Sequence, residues 1–474
     1  MKNEKLNSDV YAVPVAEKYL IHSPLRRFTA LANRSALANL QALLGKNGNS
    51  GNAPEALQSL CGELCQPVQE PPPERSGPLQ PLFLGILPTR ACNLDCVYCD
   101  FGAANASPER MDLRMATAAV DWMAELVKTL GQDTLEIHFF GGEPFFAAEV
   151  VDVVVHRARA VAARSGLFPR FEAATNGVFD ESRARFVGDY FDTVVLSFDG
   201  FQEIHDRNRF FPFLGGGRGG FGRNLGSFEI VKETAHLLSQ SPTELCFRVC
   251  VTHESVTQLE PIVQWFCDTF RPSILNFETL QSSPESEAAG LKPLNPYDFA
   301  IHYVRASRLA ERSGIKAIYA AAATDSLRYS FCPVGKDTLI VSPDGRVSSC
   351  YLPQQAWQNR GLDLDVGRLS PDGIMEIDFD AIHRLRRMIM DKPRCERCFC
   401  RWTCAGGCHV NHSYPGCSLA YDDFCIQTRI ITACALLDDL GFGQITDQLL
   451  ADRSAMEALA LQFSDCLTEC QISI

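Results

Sequence analysis

No run of eighteen uncharged apolar residues occurs anywhere in the 474-residue chain. Its first stretch, "MKNEKLNSDVYAVPVAEKYL", lacks the basic segment and apolar run of a secretory signal. No membrane partner is expected, and a cytoplasmic location is. Positive charge is scarce as well, since 44 Lys and Arg stand against 57 Asp and Glu, a formal net charge of -13. That balance repels phosphate backbones and argues against nucleic acid as a bulk partner. Internal repeats of fixed period are missing. The glycine-rich "FPFLGGGRGGFGRNLGSF" lacks the Gly-Lys-Ser/Thr ending of a nucleotide P-loop and is expected to be a flexible segment.

Cysteine, in contrast, is plentiful. Twenty cysteines in a reducing compartment are not explained by disulfides, which leaves metal or iron–sulfur ligation as the leading reading. The hydrophobic fraction of 46% against 21% charged residues is that of a globular protein. The length exceeds one ordinary core, so two or three domains are expected.

The alternation of patterns sets the domain expectations. Residues 1–66 form a small N-terminal module, with two strands in "VYAVPVA" and "YLIHSP" and helices in "NRSALANLQALLG" and "APEALQSLCGELC". Residues 67–80, with Pro71, Pro72 and Pro73, read as a stiff linker. From residue 81 to 300, strands in "LFLGIL", "LEIHFFG", "RFEAATNG", "TVVLSFDG", "LCFRVCVT" and "ILNFETL" alternate with helical stretches. This is the pattern of an α/β fold with a parallel sheet, here a partial or open six-stranded barrel. A helical bridge is expected over 301–331, a turn-rich cysteine region over 332–425, and closing helices over 426–474.

The loop "TRACNLDCVYCDFG" directly after the first barrel strand carries Cys92, Cys96 and Cys99. Three thiolates on a tight loop suit an iron–sulfur cluster, whereas a structural zinc site closes with four ligands. The bland alternative is three buried, inert cysteines. The loop resembles the signature of the radical S-adenosylmethionine (SAM) enzymes, and the resemblance spans roughly residues 81–280. It implies a partial (β/α)6 TIM-like barrel and a [4Fe–4S] cluster whose open iron is chelated by the amino and carboxylate groups of SAM.

Further positions carry the same resemblance. "FFGGEP", with Gly141, Gly142, Glu143 and Pro144, is similar to the family's methionine-amino-group motif, Glu143 and freed backbone groups accepting the ammonium. Thr175 and Asn176 in "ATNG" and Ser197 and Asp199 in "LSFDG" lie at strand ends that face the cofactor in the family. Tyr98 in the cysteine loop and Arg248 on the fifth strand complete the cofactor-contacting candidates. For each polar residue a strand-end cap is the competing reading.

A second cysteine field follows the barrel. Cys332, Gly345 and Cys350 give C-x12-G-x4-C, and "CERCFCRWTCAGGC" gives C-x2-C-x5-C-x3-C through Cys395, Cys398, Cys404 and Cys408, with Cys425 beyond. Alone, this field also suits a pair of zinc ribbons. It matches the seven-cysteine pattern of the SPASM extension of peptide-modifying radical enzymes. The resemblance implies two auxiliary [4Fe–4S] clusters, one on Cys332, Cys350 and Cys408, the other on Cys395, Cys398, Cys404 and Cys425, and so three clusters in all. Cys400 and Cys417 are extra to the pattern, either closing the first auxiliary cluster or remaining ordinary thiols. Cys61 with Cys65, Cys246 with Cys250, Cys434, and Cys466 with Cys470 read as core packing.

What the resemblance implies is a peptide maturase. SAM is cleaved reductively to a 5′-deoxyadenosyl radical that abstracts hydrogen from a ribosomally made precursor peptide, leading to a thioether or carbon–carbon cross-link or a related modification. An electron donor such as flavodoxin or ferredoxin is a further expected partner. Sulfatase-maturing members, which make formylglycine, carry an Asp base directly after the cysteine matching Cys350, and here that residue is Tyr351. A non-catalytic electron carrier is the remaining alternative. The N-terminal module resembles, in outline, winged-helix modules that capture a leader peptide as an added strand, with a purely structural cap as the other reading.

Overall fold

The computed structural model describes residues 9–44, 54–68, 77–103, 106–212, 225–281, 284–388, 392–412, 420–461 and 465–466. The glycine-rich segment over 213–224, Pro71, Pro72, Pro73, Cys417 and Cys470 lie outside them.

The N-terminal module begins with the two expected strands, β1 (Tyr11–Val15) and β2 (Lys18–Ser23), and adds an unanticipated third, β3 (Phe28–Ala32). They pair antiparallel in chain order. The two faces of this small sheet are apolar in different company. Val10, Ala12 and Ile21 pack with Leu37 and Leu40 of helix Arg34–Leu44 and with Leu57 and Leu64 of helix Glu55–Leu64. Tyr11, Val13, Val15 and Leu20 join the main core of the molecule. Period-two alternation thus makes the module a wedge with two buried faces rather than an appended bead.

The barrel strands are β4 (Leu84–Ile86), β5 (Thr134–Phe139), β6 (Phe168–Thr175), β7 (Thr193–Ser197), β8 (Glu244–Val251) and β9 (Ile274–Thr279). All pair in parallel, in sequence order, as expected. On β5, Leu135, Ile137 and Phe139 are buried against the helical layer while Thr134, Glu136 and His138 face the other way, half-exposed. The covering helices bury one stripe each. In Leu113–Thr129, for example, Met115, Ala119, Val120, Met123 and Val127 are buried, and the Asp112 carboxylate caps the start by accepting from the amides of Arg114 and Met115.

The expected helical bridge over 301–331 is helical in two parts, the end of helix Pro296–Arg312 and a short 3-10 turn at Ala320–Ala322. Between them lies a seventh parallel strand, β10 (Lys316–Ile318), paired with β9. The linker likewise docks at its far end, where Gly77 and Pro78 carbonyls accept from Arg386 and the Gln80 amide donates to Asp337.

The cysteine-rich region does not stand apart from the barrel. Its first strand, β11 (Leu339–Val341), pairs in parallel with β4, and β12 (Arg346–Ser348), β13 (Asp365–Leu369) and β14 (Met375–Ile377) continue antiparallel, giving one eleven-stranded sheet. Gly345 sits in the β11–β12 turn at φ 78, a left-handed conformation that favours glycine. Helices Asp423–Asp439, Gly443–Ala451 and Arg453–Leu461 follow. The chain then returns as β15 (Asp465–Cys466), which pairs with β1 and closes that edge of the N-terminal sheet. Among the described residues, no helix is long and apolar enough to cross a membrane.

Candidate active site and cysteine clusters

The first cysteine loop leaves the C-terminal end of β4 and is tied down by backbone. The Asp95 amide donates to the Phe210 carbonyl at 2.8 Å and the Val97 amide to the Asn208 carbonyl at 3.0 Å. Burial first, then the charges of Glu143 and Cys96, push the Cys92 thiol up, with Cys99 acting in the same sense. Burial raises Cys96 to about 12, with the Arg209 cation acting in the opposite sense. The Asn176 side-chain amide donates to Cys92 Sγ at 3.4 Å and to Asn93 Oδ1 at 2.8 Å.

Gly141 and Gly142 serve first to let this loop approach. A Cβ at Gly141 would stand 2.5 Å from the Thr89 carbonyl oxygen, and one at Gly142 would overlap the carbonyls of Arg90 and Ala91. The Gly142 and Glu143 amides donate to Thr89 and Ala91 carbonyls at 3.3 and 3.0 Å. Pro144 opens the short helical turn Pro144–Ala147, which the Glu143 carboxylate caps.

Glu143, expected to accept an ammonium, is engaged within the protein. It is 1% exposed, and its oxygens accept from the Phe145 amide (3.1 Å), the Thr175 hydroxyl (2.8 Å) and the Asn176 amide (2.7 Å). Burial outweighs those hydrogen bonds and raises its pKa to about 7. Glu143 therefore ties the end of β5 to the end of β6, a contact that also fixes Thr175 and Asn176.

Asp199 is likewise engaged. It is fully buried, and its carboxylate is shared by Arg209 (3.1 and 3.3 Å), the Tyr98 hydroxyl, the Asn208 amide and the Cys250 backbone amide (3.2 Å). Arg209 also lies over the Tyr98 ring, 5.3 Å from its centroid. These contacts bolt the cysteine loop to β7 and β8, and the Asp199 carboxylate, expected to face the cofactor, is taken up by a buried ion pair. Ser197 is half-buried at the end of β7. Arg248 pairs with Glu278 across β8 and β9 at 2.5 Å. Cys250 belongs to this neighbourhood rather than to the outer core, whereas Cys246 is buried as expected.

The second field separates into two thiol groups. Burial raises Cys332 and Cys350 to about 12, with Cys408 acting on both in the same sense. Cys404 is raised by burial and then by Cys395, Cys425 and Cys398. The same residues make up the two ligand sets that the resemblance implies. Cys400, weighed as a ligand of the first group, instead lies in the second, where it hydrogen-bonds Cys398. The Cys395, Cys398, Cys400, Cys404 and Cys425 side chains line one cavity with His412 and Arg429.

Several residues at these sites carry no motif. Arg209 in "HDRNRF" and Lys392, whose ammonium donates to the Gly406 carbonyl at 2.6 Å between both thiol groups, look like ordinary surface charges in sequence. Arg429 gives a faint signal, as a charge inside the apolar helical run "FCIQTRIITAC". Tyr351 is placed against the barrel, its ring 4.5 Å from Phe140 and 6.3 Å from Phe83, which in turn stacks on His138 at 3.9 Å.

The donor chemistry fits iron–sulfur clusters. Most of these thiols are pushed up by burial and need a positive centre to exist as thiolates, whereas the Cys400 hydrogen bond and the Arg429 cation bring Cys398 down to about 5; such thiol sets suit soft iron ligation.

Comparison with known proteins agrees. The Radical SAM superfamily description matches residues 86–241, and the SPASM iron–sulfur cluster-binding domain matches residues 332–401. The PqqA peptide cyclase of Bradyrhizobium diazoefficiens is 24% identical over 336 residues, 69% of this chain and 81% of that protein. Native anSMEcpe with bound AdoMet superposes with a TM-score of 0.56 at 19% identity, over 77% of this chain and 99% of that one. The same protein with AdoMet and the Cp18Cys peptide gives 0.56 over 79% and 100% at 19% identity.

Proposed function

We propose that this chain, a radical SAM enzyme with a C-terminal SPASM domain, is a maturase that modifies a ribosomally made precursor peptide, forming a thioether or carbon–carbon cross-link or a related modification. The observation that carries this reading is the similarity to the PqqA peptide cyclase, which runs over 69% of the chain. With it goes the joined sheet that sets Cys350 and Tyr351 beside the barrel mouth.

We assign three [4Fe–4S] clusters to the chain. Cys92, Cys96 and Cys99 hold the first, and the SPASM region holds two by the groupings described above. When bound, the first cluster and SAM supply a carbon-centred radical that takes a hydrogen atom from the substrate. The chain's own groups do the positioning. Main-chain carbonyls of Gly141 and Gly142 take the SAM ammonium and Ser197 the ribose and carboxylate region. Arg248 offers its guanidinium to the carboxylate. Asp199, Arg209 and Tyr98 hold the cysteine loop rigid, and Glu143 with Thr175 and Asn176 fixes the adjoining strand ends. Packed aromatic groups around the mouth, Phe140 and Tyr351, help exclude water from a reactive site.

The sulfatase-type reading is the weaker one. It needs a carboxylate base after Cys350, and Tyr351 offers a phenol whose ring packs at a tilt against Phe140. For the peptide's leader we propose the β3 edge, because β15 already covers β1 and β3 pairs only with β2 among the described residues. A cleft of about 360 Å³ lined by Phe28, Thr29, Asp325 and Leu440 adjoins it. Electrons would come from a flavodoxin or ferredoxin.

The test is anaerobic reconstitution. We expect about twelve irons per chain from three four-iron clusters. Dithionite-dependent release of 5′-deoxyadenosine should disappear in Cys96→Ala. Co-expression with small neighbouring reading frames, followed by mass spectrometry, should reveal a cross-linked peptide. Conversion of a CxPxR peptide to formylglycine, with no cross-linking of any neighbour, would replace this reading with the sulfatase one.

A further inference from the structure

The helix Asp423–Asp439 contributes more than the ligand Cys425 at its first turn. One turn further along, Arg429 points into the second auxiliary thiol group. Its Nη1 lies 3.3 Å from Cys398 Sγ, and its Nη2 donates to the Leu459 carbonyl at 3.0 Å. The guanidinium is held between two aromatic faces, 4.8 Å from the Phe399 centroid and 4.3 Å from that of Tyr421. It is 1% exposed. The groups that favour its charge are the thiols of Cys398 and Cys400 and the phenol of Tyr421, with Cys398 foremost. A buried cation is costly unless paired, and here the sulfur side supplies that pairing. Cys400 completes the arrangement by hydrogen-bonding the same Cys398 sulfur.

We propose that Arg429 sets the reduction potential of the cluster on Cys395, Cys398, Cys404 and Cys425 by donating a charged hydrogen bond to a ligand sulfur. This rests on the two-auxiliary-cluster reading above. Adding one electron to a thiolate-bound cluster adds one negative charge, and a fixed cation at hydrogen-bond distance from a ligand stabilises that state most. Arg429 therefore raises the midpoint potential. It steepens the downhill step for an electron moving outward from the group of Cys332, Cys350 and Cys408, which adjoins the barrel mouth at Tyr351.

The test uses full-length protein carrying Cys92→Ala, Cys96→Ala and Cys99→Ala, which leaves only the auxiliary clusters and should retain about eight irons. In a dithionite titration followed by electron paramagnetic resonance, Arg429→Gln should move one midpoint to lower potential and leave the other in place. Arg429→Lys, which keeps the charge on a shorter arm, should restore part of the shift. Cys400→Ala should move the same midpoint in the same direction by less, and Cys400→Ser should leave it near its starting value.

Should Arg429→Gln fail to hold iron, protein with the native Arg429 labelled with 15N-arginine supplies the answer. The reduced cluster should then show a weak 15N hyperfine coupling. Unchanged midpoints in a variant with full iron, or the lack of any 15N coupling, would overturn the proposal. Iron well below eight in the unaltered background would instead refute the two-cluster reading and this inference with it.

Discussion

At the residue scale, the charged groups at the barrel mouth act mainly on the protein itself. Asp199 and Arg209 are both almost fully buried, so each depends on the other. Arg209→Met leaves Asp199 buried without its cation, and a loss of about 3–5 kcal/mol is expected. The double variant with Asp199→Asn should lose clearly less than the two single losses combined, read by denaturant unfolding of anaerobic protein alongside its iron content. Glu143 has a signature in pH. Its folded pKa of about 7 lies above the ordinary 4.5, so its contribution is intact below 4.5 and is lost as pH rises through 7. In SAM-free protein the stability of Glu143→Gln should fall less across that window than that of the unaltered chain. Equal slopes from pH 4.5 to 7 would show that Glu143 does not titrate there. These roles were hidden in the sequence, because "GGEP" and "LSFDG" show which residues stand at strand ends but not which partners reach them first.

At the element scale, the strands and their order were readable and their neighbours were not. The six expected barrel strands form where the alternation of apolar residues placed them, since β-strand periodicity is local. β3, β10 and β15 were missed for a common reason. Each exists through pairing with another strand, to which a local pattern is blind, and β10 and β15 are in addition very short. The glycine turn after β5 was legible as a motif while its purpose was not. Gly142 is required by the carbonyls of Arg90 and Ala91 on the cysteine loop. Gly142→Ala should therefore push that loop away and lose the iron of one cluster, about four atoms, while the auxiliary iron stays bound. Full iron in that variant would contradict the packing argument.

At the scale of the whole molecule, burial couples the three regions to one another and to pH. His22 on β2 meets Phe399 of the cysteine-rich region edge to face at 6.5 Å, and His205 is buried beside Asp199 and Ser227. Burial lowers their pKa values from 6.5 to about 4 and about 3. Both groups are neutral in the folded chain, so their stability is present above pH 6.5 and is lost as pH falls toward 4, because the unfolded chain takes up protons first. Every tenfold difference in proton affinity between the folded and unfolded chain corresponds to about 1.4 kcal/mol. Thermal unfolding should drop steeply over that range, and a His22→Gln, His205→Gln variant should drop less.

By itself the sequence determined the chemistry: the number and spacing of cysteines, the alternating barrel and the departure at Tyr351 are one-dimensional facts, and ligand type and strand period are written locally. Only the tertiary structure decided how the pieces are joined. It ran the cysteine-rich region into the barrel sheet through β4 and β11. It buried Asp199 and Glu143 in internal contacts, moved Cys400 to the second thiol group and brought Arg429 to Cys398. Each of those outcomes depends on groups apart along the chain meeting in a low-dielectric interior, where an unpaired charge or hydrogen-bonding group is too costly to leave alone.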